Sequence, residues 1–269
     1  MQKRTTWILI VIFAVVFLYS ACQLLGIFKT YETGRQTYDS LEQYASMEQT
    51  ETGSKPLDFF DLTIQKEDPA ETPDVSAWPQ VSFEDLTALN ADIIGWSYID
   101  GTNINYPVVQ GTDNDFYLTH LFDGTYNSSG CIFLDYRCAA DFSDRNTIIY
   151  GHHMKNNSMF SALMAYKEQA FYDEHPTVLL VTPDAYLKVQ LFSGYITDNY
   201  DRAWERDLDD AAHAVWLQDV AEKSLFTPDC TPAPEDGIVT LSTCTYEFED
   251  AKFVLHGYIS ERIETPLTD

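Results

Sequence analysis

The sequence predicts a mostly β domain with peripheral helices, closed into a barrel and preceded by an N-terminal transmembrane helix. Three observations carry that expectation. From Ser82 onward, short runs rich in β-branched and aromatic residues recur between turn signals. A few stretches of helical period interrupt them. Residues Thr6 to Phe28 form an apolar run with no charge, long enough to cross a bilayer as a helix. Many short strands with few helices favour a mixed, mainly antiparallel sheet, and closure removes its edges.

In chain order, Lys3 and Arg4 precede the apolar run and place residues 1–5 in the cytoplasm. A cleaved signal peptide is the rival reading, but the run exceeds an ordinary signal-peptide core. Tyr19-Ser-Ala-Cys22 also fits a lipoprotein cleavage site poorly. The expectation is a retained single-pass anchor in the plasma membrane over residues 6–28, with the rest of the chain outside. Residues 29–77 are polar and acidic and read as a spacer. Within it, Tyr31 to Gln49 has a helical look, but its apolar positions are too sparse to bury a face. Glu51 to Pro79, around Leu57-Asp-Phe-Phe60, is assigned no fixed structure.

The folded domain is expected over residues 78–269. Ser82-Phe-Glu-Asp85 fits a capping box ahead of Leu86 and Leu89. Ile94 to Ile99 and Asn103 to Val109 flank Asp100-Gly101 as a hairpin. Cys131 to Asp135, Asn146 to Tyr150, Val178 to Val181 and Tyr186 to Thr197 read as strands, and Ser158 to Lys167 as a short helix. Arg202 to Leu225 carries Trp204, Leu208, Ala212, Val215, Trp216 and Val220 as a helical stripe. The chain closes on a hairpin from Gly237 to Ile259.

Composition narrows the function classes. The 269 residues carry 42 acidic against 16 basic side chains, a formal charge of −26, which excludes nucleic acid as a partner. Seventeen Tyr and sixteen Phe supply a core, so the acidity is a solvated surface rather than disorder. Five cysteines at irregular spacing do not form a disulfide framework. No CxxC pair exists, and His152-His153 lacks spaced partners, so neither a metal site nor a cofactor is expected.

The closing hairpin holds the candidate chemistry. Val239 and Leu241 alternate with Thr240, Ser242 and Cys244, which puts the thiol on the more polar face. Phe253, Leu255 and Ile259 mark the buried face of the second strand, leaving Lys252, His256 and Tyr258 opposite. If the strands close with Cys244 opposite Lys252, the two Cβ atoms lie about 4.5–5.5 Å apart. A cation beside a partly exposed thiol favours the thiolate and makes a nucleophile. An inert cysteine in a core strand fits the same residues. For a proton-transfer partner, His152 follows a strand and Gly151, in a loop at a strand end. His120, His175 and His213 sit in polar settings and read as solvated.

At this point the residues resemble a family. Asn146-Thr-Ile-Ile-Tyr-Gly-His-His-Met154, Thr240-Leu-Ser-Thr-Cys-Thr-Tyr-Glu-Phe248 and Asn90-Ala-Asp-Ile-Ile-Gly-Trp96 look like signatures of sortases, closest to class B. Asn105-Tyr-Pro-Val-Val-Gln110 and Gly130-Cys-Ile-Phe-Leu-Asp135 match as well, and the similarity spans Ser82 to Ile259 in the same order. The resemblance implies a cysteine transpeptidase of the Gram-positive cell surface built on an eight-stranded β-barrel. By motif, Cys244 matches the nucleophile and His152, not His153, the catalytic histidine. Ser242 and Thr243 match the substrate groove.

The third family residue is an arginine, and this chain has Lys252 in its place. Lysine keeps the charge but loses the planar fork. Loss of one oxyanion donor costs on the order of 3 kcal/mol, which makes the chain a slower enzyme unless another group such as Arg262 reaches in. The implied partners are secreted proteins with a C-terminal sorting motif, cleaved after Thr, and an amine acceptor on a peptidoglycan precursor or a pilin. Two rival readings stand beside this one: a cysteine peptidase using water as acceptor, and a catalytically impaired, membrane-tethered binding protein.

Overall fold

Helix α1 (Gln2–Leu41) runs without a break from the apolar segment into the polar one. The structure is a computed structural model that describes residues 2–47, 75 and 78–265. The large apolar side chains from Trp7 to Leu18 are each more than half exposed, and the helix is long and apolar enough to cross a membrane. Its last turns behave differently. Tyr38 and Leu41 are buried, as is Ala45 just beyond the helix, and all three join the main core of the domain. Three small contributions at helical spacing suffice where a rigid surface receives them, so the sparse stripe from Tyr31 does bury a face. The Tyr38 hydroxyl donates to the Gly130 carbonyl and lies 3.2 Å from Cys131 Sγ, while Asn127 Nδ2 donates to the Thr30 carbonyl at 2.9 Å.

Strand β1 (Ala45–Met47) pairs antiparallel with β2 (Pro79–Val81). The stretch read as an unstructured spacer around Leu57 to Phe60 lies outside the described residues. Helix α2 (Phe83–Leu89) begins where the capping signal put it, but Ser82 makes no side-chain cap. Its hydroxyl donates instead to Asp85 Oδ2 at 2.7 Å. Strands β3 (Ile93–Tyr98) and β4 (Asn105–Val109) form the expected hairpin, with Gly101 at φ +71° in the turn.

Next come β5 (Ile132–Leu134) and β6 (Asn146–Tyr150), then Phe160–Lys167, which is a 3-10 helix rather than an α-helix. Helix α3 (Gln169–Glu174), strands β7 (Thr177–Val181) and β8 (Ala185–Thr197) and helix α4 (Asp210–Glu222) follow. The chain closes with β9 (Ile238–Cys244) and β10 (Lys252–Glu264).

Eight strands close into a barrel in the order β10-β8-β7-β3-β4-β5-β6-β9. Two neighbours are parallel, β4 with β5 and β6 with β9; the others are antiparallel. The main core fills with side chains such as Trp96, Phe133, Ile148 and Phe253. A second, smaller core lies under α4, where Trp216 and Val220 meet Phe192, Tyr195, Ile238 and Val254. Each such large side chain taken from water contributes about 1.5–3 kcal/mol.

That second core corrects three expectations. The helical stripe from Arg202 is split: a 3-10 turn (Arg202–Trp204) precedes α4, which starts only where the Asp209 carboxylate accepts the Ala212 N–H at 2.8 Å. His213, read as solvated, is 1 % exposed, and His256, placed on the polar face of β10, is fully buried beneath Trp216. The alternation along β10 was read correctly, but α4 covers the face that the pattern left for water.

Candidate active site

The parallel strands β6 and β9 end side by side. Their last register pair is Tyr150 with Ser242, and the Gly151 N–H donates to the Ser242 carbonyl at 3.1 Å. His152 and Cys244 each follow that pair by two residues. Neighbouring strands lie about 4.8 Å apart, so imidazole and thiol start from adjacent chains at one end of the barrel. Gly151 makes this possible, because a Cβ there would sit 2.5 Å from Ile132 Cδ1 and 2.6 Å from Phe160 Cδ2.

The third group comes from the antiparallel side. Lys252 is the register partner of Cys244 across the β9–β10 hairpin, as the sequence suggested. Cys244 is exposed and free. The Lys252 ammonium donates to the Asp250 carbonyl at 3.4 Å and, among the described residues, forms no ion pair with a carboxylate. Its charge therefore stays available beside the thiol.

His152 Nε2 lies 2.6 Å from the Leu118 carbonyl oxygen. A carbonyl can only accept, so Nε2 carries the hydrogen, and Nδ1 is the nitrogen left to exchange a proton with a ligand. His153 is directed elsewhere. Its ring packs against Tyr246 at 5.1 Å and borders a separate recess with Lys167 and Glu247.

Thiol, imidazole and ammonium all line one cavity of 430 Å³. Ser242, Thr243, Leu118, Tyr150, Asn199 and Trp204 line the same cavity. Ser242 and Thr243 are only 3 % and 2 % exposed, so they shape its wall rather than project from it. The Trp204 indole N–H donates to Ser242 Oγ at 3.2 Å. Behind this cavity the Tyr150 hydroxyl donates to Asp135 at 3.2 Å. Burial alone would raise the Asp135 carboxyl, but hydrogen bonds from the Arg137 side chain and backbone and from Asn114 outweigh it and bring the pKa down to about 2.

The geometry places the expected site residues Cys244, His152, Lys252, Ser242 and Thr243 around one space. It does not bring in Arg262, which sits near the far end of β10. Ten residues of strand separate it from Lys252, roughly 30 Å, and it donates to Glu264 and to the Asp141 carbonyl. Among the described residues no cluster of three or more His, Cys, Asp or Glu side chains could hold a metal ion.

Sequence reasoning missed Leu118, Asn199 and Trp204. Leu118 acts through its carbonyl, for which no side-chain signal exists. Trp204 had one: Asp201 and Asp209 are two N-cap residues, which divide the apparent stripe into two separate elements. A thiol, a proton carrier and a fixed cation around one open cavity can perform acyl transfer through a thioester.

Comparison with known proteins identifies the family. The family model described as the Sortase domain matches residues 98–259. A sortase B of Listeria monocytogenes is 37% identical over 196 residues, covering 70% of this chain and 78% of that one. Sortase B of Bacillus anthracis, solved in complex with AAEK1, superposes with a TM-score of 0.69 at 31% identity, covering 89% of this chain and all of that one. A Staphylococcus aureus sortase B–substrate complex gives 0.63 at 33% identity, covering 68% and 85%.

Proposed function

Since this chain belongs to the sortase family of cysteine transpeptidases, in its class B, we propose that Cys244 is the nucleophile, His152 the proton carrier and Lys252 the oxyanion cation of a two-step acyl transfer. In the first step the Cys244 thiolate, whose proton is held by His152, attacks the carbonyl carbon of a Thr within a C-terminal sorting motif. Negative charge develops on the carbonyl oxygen, where the Lys252 ammonium and backbone N–H groups stabilise it. The C–N bond breaks, and the departing amine takes a proton from His152. In the second step an amine attacks the thioester carbon, His152 receives its proton, and the Cys244 thiolate leaves. One peptide bond is broken and one amide is formed, so no redox partner is required.

One observation carries this reading. The register pairs Cys244 with Lys252 while the adjoining parallel strand delivers His152 to the same cavity. The donors are secreted proteins bearing the sorting motif, and the acceptor is an amine of a peptidoglycan precursor or a pilin. A sortase B of Staphylococcus aureus has been solved as a substrate complex, which supports a substrate site in this chain. Residues 6–28 cross the plasma membrane once, residues 1–5 lie in the cytoplasm, and residues 29–77 lead from the membrane to an extracellular catalytic domain over 78–269, on which Tyr38, Leu41 and Ala45 dock. The exposed apolar surface of α1 supports that topology.

The test is mass analysis of the full chain in detergent with a donor-peptide library. An acyl-enzyme on Cys244, captured as a hydroxamate by hydroxylamine, is the expected product. Cys244→Ala forms none, and turnover by that variant would refute the assignment. Adding an amine separates transfer from hydrolysis, because only transfer yields a new amide.

A further inference from the structure

Between β8 and α4 the chain runs as an irregular loop whose only regular part is the turn Arg202–Trp204, and its Asn199 and Trp204 line the cleft. Such segments fray unless tied down. This one is tied from Asp201 to Glu205. Asp201 Oδ1 accepts the Ala203 N–H at 2.8 Å, and the Trp216 indole donates to the Arg202 carbonyl at 2.8 Å. Asn146 Nδ2 donates to both the Ala203 and the Glu205 carbonyls, at 3.2 and 2.9 Å. These two carbonyls flank Trp204 in the chain.

We propose that Asn146 is a positioning residue for donor selection, holding Trp204 as a fixed wall of the cleft. Asn146 opens β6 and is 1 % exposed. Its orientation is fixed, because Oδ1 accepts from Thr240 Oγ1 at 2.6 Å and leaves both amide hydrogens for the turn. Trp204 and Asn199 line both the thiol cavity and a neighbouring 370 Å³ cavity, whose other walls are Arg137, Asp201, Glu205, Arg206 and Asp207. On this proposal the indole is the partition between them. A donor peptide in the cleft meets its face, which favours an apolar side chain at the opposing position and bars access to the charged cavity behind. Releasing the turn opens that partition.

This inference rests on the transpeptidase reading, and the experiment separates the two. The full chain in detergent is assayed with donor peptides varied one position at a time. For Trp204→Ala the preferred donor shows KM raised about tenfold, as for the loss of one buried apolar contact, with kcat little changed, and discrimination collapses at one position of the peptide. Asn146→Ala, although Asn146 does not line the cleft, produces the same collapse at the same position. Combined with Trp204→Ala it adds nothing further. Alkylation of Cys244 by iodoacetamide proceeds at the wild-type rate in Asn146→Ala.

A uniform loss over all donors, a change at a different position, or additivity with Trp204→Ala would overturn the inference. Should Asn146→Ala not fold, Asp201→Ala releases the same turn from its other end, and an unaltered donor profile there overturns it equally. Absence of any acyl-enzyme in the wild type is a failure of the transpeptidase reading instead.

Discussion

Two register pairs on one face of the β9–β10 hairpin have opposite fates. At the mouth, Cys244 faces Lys252, the thiol is exposed, and both line an open cavity. Four residues further in, Thr240 faces His256, and both are fully buried. There the His256 Nδ1–H donates to Thr240 Oγ1 at 2.8 Å, whose own hydrogen goes to Asn146. The His256 Nε2 has no partner among the described residues, and Trp216 meets the ring edge-on at 5.6 Å. The strand pattern is the same in both places; the difference is what lies on top. Helix α4 covers the inner pair and stops short of the outer one. Chemistry on this barrel is thus assigned by the cover rather than by the strand.

The mouth pair and its imidazole should give the largest effects. His152→Ala is expected to lower kcat/KM for donor cleavage by about a thousandfold, measured by peptide turnover, while Cys244 remains open to alkylation. A loss smaller than about tenfold would remove His152 from the proton pathway. Lys252→Met should cost on the order of a hundredfold, and Lys252→Arg should preserve or raise the rate by restoring the fork. A collapse in Lys252→Arg would mean that the lysine acts elsewhere than at the oxyanion.

The inner pair should report in stability rather than rate. Burial brings the His256 pKa down to about 3, opposed by Asp201 and reinforced by Lys223. The folded value lies below the unfolded one, so the unfolded chain takes up the proton first. Stability is full above about pH 6.5 and falls toward pH 3, by up to roughly 1.4 kcal/mol per pH unit from this group. Urea unfolding of His256→Gln should show a shallower acid slope than wild type, and parallel slopes would contradict the buried neutral imidazole. The smallest effect is expected at the helix dock, where Tyr38→Phe removes one hydroxyl bond to the barrel and should cost about 1 kcal/mol in thermal unfolding.

How much of this was legible in the sequence follows the same division. Opposing Cys244 and Lys252 required only strand period and a hairpin, both local, and the structure has that register. His152 was legible from its place after a strand and a glycine. The burial of His256 was not, because it depends on α4, which ends some thirty residues before β10 begins and packs across it only in three dimensions. Trp204 was misread because its spacing to Leu208 and Ala212 imitates a helix that Asp209 in fact starts later. The docking of Tyr38, Leu41 and Ala45 was missed because hydrophobic periodicity weighs a stripe by its own area and is blind to a preformed surface that receives it.

The unbroken course of α1 has a mechanical consequence. From Phe28, at the edge of the apolar run, to Leu41, at the barrel, the helix rises about 20 Å. With the membrane crossing proposed for residues 6–28 at its foot, and its top bolted through Tyr38 to the Gly130 turn, it would behave as a post rather than a tether. On that proposal the cavity mouth would keep one altitude and one heading over the membrane, and substrates would have to meet it at that height.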